Sequence, residues 1–297
     1  MTNASPDQPS TGFVRGSLNR SSTSPRTLFS TAMTILAFVC GILALLPLLA
    51  VLSYVILQGF SSLSLNLFTE LPPPPLVKGG GFANAIIGTV IMVGLGAVIS
   101  IPVGVLAAIY LTEFSSGSLS RGIRFATNVL SGVPSIIAGV FAYGIVVATT
   151  HTYSALAGGA ALSILMLPII VRTTDEALQL VSQDLRQASV GLGATNFQTV
   201  AQVVLPAALP AIVTGTTLAI ARASGETAPL LFTALFSQNW TNTLFAPTAS
   251  LAVLVYNFAT SPFKNQQSLA WAASLILVFL VLLTSVVARW ATSRKAY

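Results

Sequence analysis

Charge is what this chain of 297 residues has least of: Asp, Glu, Lys and Arg make up 7% of it, against about 25% in an ordinary soluble domain. Seven acids and 13 bases are too few to hydrate the surface of a water-soluble protein of this size. With 54% hydrophobic residues, a soluble fold would expose apolar patches beyond what monomers carry. An ordinary soluble enzyme is excluded, and so is disorder over most of the length. Cys40 is the only cysteine, which excludes a disulfide framework. His151 is the only histidine and stands apart from any cluster of Cys, Asp or Glu, so no metal site is expected. None of the lysines, Lys78, Lys264 and Lys295, follows a glycine. The Gly-x-x-x-x-Gly-Lys-Ser/Thr loop that cradles nucleotide phosphates is therefore missing, and any ATP is hydrolysed elsewhere. No catalytic triad is evident.

What the chain has instead is length without charge, with a mean hydropathy of +0.84. No charged residue falls between Arg26 and Glu70, Lys78 and Glu113, Arg124 and Arg172, Arg186 and Arg222, Glu226 and Lys264, or Lys264 and Arg289. A spanning helix needs about 20 mostly apolar residues. Six spans are predicted: Ala32 to Leu57, Ala85 to Leu111, Phe125 to Ala148, Ala155 to Val171, Ala211 to Phe236 and Leu269 to Ala288. The expected class is an all-α polytopic membrane protein with six transmembrane helices. The first apolar run is longer than the about 7–15 residues of a signal-peptide core, so it reads as a true span. Residues 1–27, rich in Ser, Thr, Pro and Asn, read as a disordered cytoplasmic tail, and residues 28–297 as the transmembrane domain.

The net charge of +6 finds its meaning in where the bases lie. With the N-terminus inside, the cytoplasmic segments hold Arg15, Arg20, Arg26, Arg121, Arg124, Arg172, Arg186, Arg289, Arg294 and Lys295, and the other side holds Lys78 and Lys264. This bias places both ends in the cytoplasm. It also accounts for the basic balance by orientation and contact with anionic lipid, without nucleic-acid binding.

Two loops exceed simple connectors. The outer one, Gln58 to Asn84, carries Pro72 to Pro75 and then Lys78-Gly79-Gly80-Gly81, a pattern that predicts a stiff extended spacer with a glycine hinge. Docking of a partner is the other reading of that loop. The cytoplasmic one, at about 173–210, predicts a helix–turn–helix. Thr195 with Gln198 fits a capping box, and Gly193 suits a tight turn between two helical pieces. Pro206 and Pro210 are expected to close the second piece before span five.

Arg222 and Glu226 lie four residues apart, about 20 Å along a helix rising from Leu209, and share one helical face. A charge at bilayer depth costs roughly 2.5–3.5 kcal/mol on insertion scales. Two readings stand: an ion pair that locks two helices, or an anion site on a transport path. In the second, the guanidinium fork matches phosphate oxygens and Glu226 competes for it, so that the anion does not stay. Arg172, at the inner end of span four, is either an orienting charge or an inner station for the same anion.

The cytoplasmic loop resembles the EAA motif of bacterial ABC-importer permeases. Gln187-Ala188-Ser189 stands in the place of Glu-Ala-Ala, followed by Gly193-Ala194, Val203 at the apolar position, and Leu205-Pro206. Gln187 replaces the motif's Glu, and Ser189 its second Ala. The stretches Gly79 to Thr89, Ser131 to Gly139, Leu167 to Thr174 and Ala221 to Ala234 are similar to phosphate-importer permeases of the PstA type. The likeness runs from about Gly79 to Trp290. It implies an ABC type I importer permease fold with a cytoplasmic coupling helix, in the bacterial inner membrane, with no enzymatic activity of its own. It implies as partners a homologous second permease subunit, an ATPase dimer that holds ATP and Mg, and an extracytoplasmic phosphate-binding protein. Transport would be by alternating access, past Arg222, Glu226 and Arg172. A gradient-driven secondary anion transporter and a permease for another oxyanion, such as phosphonate, are the alternatives. The first of these lacks an internal repeat and a second acid at depth, and has no use for the cytoplasmic helix–turn–helix.

Overall fold

The computed structural model describes residues 25–115 and 117–293, with side chains to residue 290. Most of the expected tail, residues 1–24, and the bases Arg15, Arg20, Arg294 and Lys295 lie outside the described residues. The chain divides into two compact units between Tyr54 and Val55. The first is the leading part of helix α1 (Pro25–Ser61), which begins within the stretch assigned to the tail. Leu28, Phe38, Ile42 and Leu49 are all exposed on it. A helix apolar on every side and covered by nothing is suited to lipid. Cys40 is exposed there rather than packed in a core.

The second unit holds the remaining elements. Helix α2 (Ala83–Phe114) ends in a π-helical turn over Tyr110–Phe114. It is followed by α3 (Ser118–Ser131) and α4 (Ser135–Thr150), then α5 (Ala155–Gln179), α6 (Gln183–Gly191) and α7 (Asn196–Ser224). Two short helices, α8 (Ala228–Thr233) and α9 (Leu251–Ala259), precede the long α10 (Lys264–Ser293). Several starts are set by local chemistry. Ser154, Ser182 and Ser250 each accept a backbone N–H of the first turn, from Ala157, Leu185 and Val253. Thr195 and Gln198 form the full capping box. Each cap satisfies donors that the helix cannot use itself.

Packing between the long helices relies on missing side chains. A Cβ on Gly159 would lie 2.6 Å from that of Leu95, and one on Gly104 would lie 2.8 Å from Ile170 Cγ2, so α2 and α5 run in close contact. A Cβ on Gly215 would collide with the Thr173 hydroxyl, which brings α7 equally close to α5. Lipid offers no apolar driving force between helices, so close van der Waals contact must supply it. Gly139 and Gly158 serve the same end, whereas Gly144 faces open space. One core gathers Met92, Leu162, Met166, Ile170, Ala219, Leu230 and Val253. Another, where α2 and α10 begin, gathers Leu67, Phe82, Leu251, Leu254, Phe258 and Leu269.

By length and composition, five helices can cross a membrane, and a sixth span is formed if α3 and α4 count as one. That pair departs from the expected straight span over Phe125 to Ala148. It bends by 104° at a break, where Pro134 is the N-cap of α4 and Gly132 ends α3. The residue before proline is pushed out of the helical region, which turns the chain. The expected fifth span, Ala211 to Phe236, also differs. Its helix starts at Asn196 and stops at Ser224, and the chain re-enters as α8. Pro206 and Pro210 do not close a helix. The π-helical turn over Val200–Val204 precedes Pro206, which stands in the first turn of the following α-helix, and Pro210 is carried within it. The uncharged stretch after Phe236, which belongs to no expected span, contains α9 with Leu251, Val253 and Leu254 fully buried. The proline-rich loop is not a free spacer. Pro72 and Pro73 are buried, and the Gly81 N–H donates to the Leu71 carbonyl at 3.1 Å.

Candidate anion path and coupling loop

Arg222 lies in the last turn of α7, and the helix ends before Glu226 is reached. The two therefore do not share a helical face, as the spacing predicts. Gly225 caps the helix, and Glu226 follows it in the break before α8. They still meet: Arg222 Nε lies 3.8 Å from Glu226 Oε1, with side chains 62% and 16% exposed. At that separation the charges attract without a hydrogen bond, so the guanidinium keeps its fork of donors open. Both side chains lie beside Leu165, Met166 and Ile169, midway along α5. Irregular backbone at such a depth is tolerated where it lines a cavity or is buried in protein.

Arg172 stands further along α5, seven residues and about 10 Å beyond Leu165. Its Nε donates to Glu176 Oε1 at 2.9 Å, and both side chains are well exposed. Beside it, Arg124 Nη2 donates to Asp175 Oδ1 at 2.9 Å, and the Thr112 hydroxyl donates to the same oxygen at 2.6 Å. Arg124, Arg172, Asp175 and Glu176 line one cavity of about 480 Å³. Arg172 and Arg222 thus lie in separate clusters, each facing a carboxylate. Arg124, counted from sequence only as an orienting charge, belongs to the first of them.

The 173–210 segment is helical at both ends and turns between them. Helix α5 continues to Gln179, and α6 follows it directly. Gly193 turns the chain at φ +90°. The Ser189 and Thr199 hydroxyls are hydrogen-bonded at 2.9 Å across that turn. Gln187, Ala188 and Pro206 are exposed, while Ser189, Ala194, Val203 and Leu205 are half-buried. Four large apolar side chains, Leu185, Val190, Leu192 and Phe197, stand exposed around Gly193, with Leu192 at 91%.

One more contact holds the segment. Arg186 of α6 bonds both carboxylate oxygens of Glu113 in the π-helical turn of α2, and its Nη2 donates to the Leu178 carbonyl at 2.7 Å. The side chains are 14% and 8% exposed. Leu178 lies in the last turn of α5, where carbonyls lack intrahelical partners and a cation is favoured. A single guanidinium therefore fastens α6 to the ends of α2 and α5. Its partner lies 73 residues away, so no local pattern reveals the pair.

A family model, that of the binding-protein-dependent transport system inner membrane component, matches residues 100–297. The phosphate transport system permease protein PstA of Yersinia pestis is 41% identical over 264 residues, covering 89% of this chain and 90% of the relative. PstA 1 of Mycobacterium tuberculosis strain H37Rv is 36% identical over 283 residues, covering 93% and 90%. The chain belongs to the PstA family of these inner membrane components. Among solved structures, an inward-facing methionine ABC transporter, MetNI, aligns over 72% of the chain and 94% of its own at a TM-score of 0.56 and 24% identity. A bacterial alginate ABC transporter aligns over 91% and 95% at a TM-score of 0.62 and 13% identity. The ABC-importer permease fold is thus shared with chains of very different sequence. In the permease described here, that fold leaves Arg222 and Glu226 at the break between α7 and α8, and the EAA-like segment exposed on α6 and the turn after it.

Proposed function

We propose that the chain is the transmembrane subunit of an ATP-driven importer that moves inorganic phosphate into the cytoplasm by alternating access. The observation that carries the substrate assignment is Arg222: a guanidinium with an open donor fork at mid-bundle depth, close to a carboxylate that does not hydrogen-bond it. Phosphate entering from outside meets the fork, which suits two of its oxygens. Glu226 competes for the same charge, so the anion is held briefly and passed inward toward Arg172. The α7–α8 break lets backbone approach the anion where a continuous helix would not.

In this reading α6 and the Gly193 turn dock in a cleft of an ATPase subunit, with Gln187, Ala188, Leu192 and Phe197 on the docking face. Ser189, Gly193, Ala194, Val203, Leu205 and Pro206 hold the shape of the turn and its joint to α7. Two ATPase subunits carry ATP and Mg, a second homologous permease completes the path, and an extracytoplasmic phosphate-binding protein delivers the anion. The termini and α6 are cytoplasmic, as the Lys/Arg bias requires. ATP closure pulls the coupling segments together and favours one state of the path. Phosphate shifts that balance only through its different affinity for the two states.

Stimulation of ATPase activity in the reconstituted complex by phosphate-loaded binding protein, compared across phosphate, phosphonate and sulfate, tests the substrate. Phosphate is expected to stimulate most, and stronger stimulation by another oxyanion would reassign it. A second test concerns the turn. Gly193 has no neighbour within 4 Å of a Cβ position, so substitution there acts through its φ of +90° and not through a clash. Gly193→Val forces a β-branched residue into a region it avoids, whereas Asn tolerates it. G193V is expected to keep normal membrane levels and lose most stimulated ATPase, with G193N close to wild type. Equal coupling in both variants would remove the turn from the mechanism.

A further inference from the structure

Lys78 and Lys264 come from distant parts of the sequence, yet they line the same cavity of about 480 Å³. It lies where α2 and α10 begin. From there the α-helical part of α2, Ala83–Ile109, rises about 40 Å toward the Arg186–Glu113 contact. Arg124, Arg172, Arg186 and Arg222 each face a carboxylate. Neither lysine has an ion-pair or hydrogen-bond partner among the described residues. No acid lines the cavity. Glu70, on the same loop, is not part of its wall.

The rest of the wall is mixed, with serines and Asn265 beside Gly79, Gly80, Leu67 and Leu269. Of its serines, Ser61 and Ser62 donate to the Gln58 carbonyl and Ser268 to that of Asn265, whereas the Ser64 hydroxyl caps nothing and is open to an anion. The N-terminal end of α10 adds backbone N–H groups and the positive end of a helix dipole. The loop that carries Lys78 is fixed in place. Asn265 Nδ2 donates to the Val77 carbonyl at 2.6 Å, which ties the loop to the first turn of α10. A Cβ on Gly80 would lie 2.6 Å from Pro73 Cδ, so the glycine rests directly on the buried part of the proline run. The packed prolines thus fix the loop whose Lys78 lines the cavity together with Lys264.

We infer that this cavity is an anion site for a free tetrahedral oxyanion of the phosphate class, at the mouth of the path opposite the coupling loop. The inference rests on the importer reading, in which this is the outer mouth. It differs in kind from the Arg222 station: two unpaired cations with no competing carboxylate capture an anion, whereas Arg222 beside Glu226 passes it on.

The test uses the assembled transporter in phosphatidylcholine nanodiscs without binding protein, on an Arg222→Ala background that removes the inner station. Equilibrium binding of radiolabelled inorganic phosphate is measured for R222A, R222A/K78Q/K264Q and R222A/K78R/K264R. Loss of two charge-assisted contacts is expected to weaken binding by at least about tenfold in the glutamine variant, and the arginine variant restores it. Lysine-independent phosphate binding, or none, overturns the inference. So does lysine-dependent retention of phosphatidylglycerol without phosphate binding, which makes the cavity a lipid headgroup site. A change confined to the binding-protein concentration needed for half-maximal ATPase stimulation makes it a protein contact and likewise overturns it. The importer reading fails separately, if wild-type complex shows no phosphate-stimulated ATPase.

Discussion

Replacing Arg222 with alanine is expected to reduce phosphate uptake by roughly 10²–10⁴-fold at normal membrane levels. The size follows from two charge-assisted hydrogen bonds, each contributing about 1.5–3 kcal/mol, at about 1.4 kcal/mol per factor of ten. The Arg222 side chain is 62% exposed in the isolated chain and its guanidinium makes no hydrogen bond there among the described residues. Its removal should therefore cost transport and not folding. Arg222→Lys keeps the charge but loses the planar fork, and an intermediate rate is expected. Radiolabelled phosphate uptake, normalised to membrane abundance by immunoblot, measures all three. Uptake by R222A at the wild-type rate would reduce the Arg222–Glu226 pair to a helix lock.

The second large effect concerns stability. Arg186→Ala leaves Glu113, at 8% exposure, as a buried charge without its partner, and leaves the Leu178 carbonyl with the 3.3 Å bond from the Val181 N–H. Breaking one side of such a pair costs about 3–5 kcal/mol, whereas replacing both partners with apolar residues is often neutral. R186A is expected to lower the melting temperature of the purified complex markedly, and E113L/R186M to recover most of the loss. The same pair fastens α6 to α2. The double variant is therefore also expected to show weaker phosphate-stimulated ATPase than its stability accounts for. Full coupling in that variant would mean the bridge serves folding alone.

What was legible in the sequence follows the range of the interactions. The Thr195–Gln198 capping box and the Gly193 turn depend on residues a few positions apart, and both stand where the spacing predicts them. Uncharged runs mark the five long helices among the described residues, and the sixth expected run is the bent α3–α4 pair, because a membrane span is a matter of length and composition. Breaks are harder to see. Pro134 and the Gly225–Thr227 stretch interrupt apolar runs that hydropathy alone reads as continuous. Helix α9 is too short to register as a span, and its burial depends on α2 and α10 closing around it. Arg186–Glu113 and the Lys78–Lys264 cavity arise only when distant segments meet, and no local spacing announces either. Arg222 and Glu226 were found as neighbours from their spacing, but the chain brings them together across a helix end and not along a helical face.

The central claim, import of phosphate driven by ATP on partner subunits, is tested most directly in proteoliposomes of the complete transporter with phosphate-binding protein outside. Uptake is measured with ATP and Mg enclosed, with and without an ionophore that collapses ion gradients, and again with a gradient imposed but no ATP. The account predicts uptake that requires ATP and survives the ionophore. Uptake without ATP that follows the imposed gradient would contradict it.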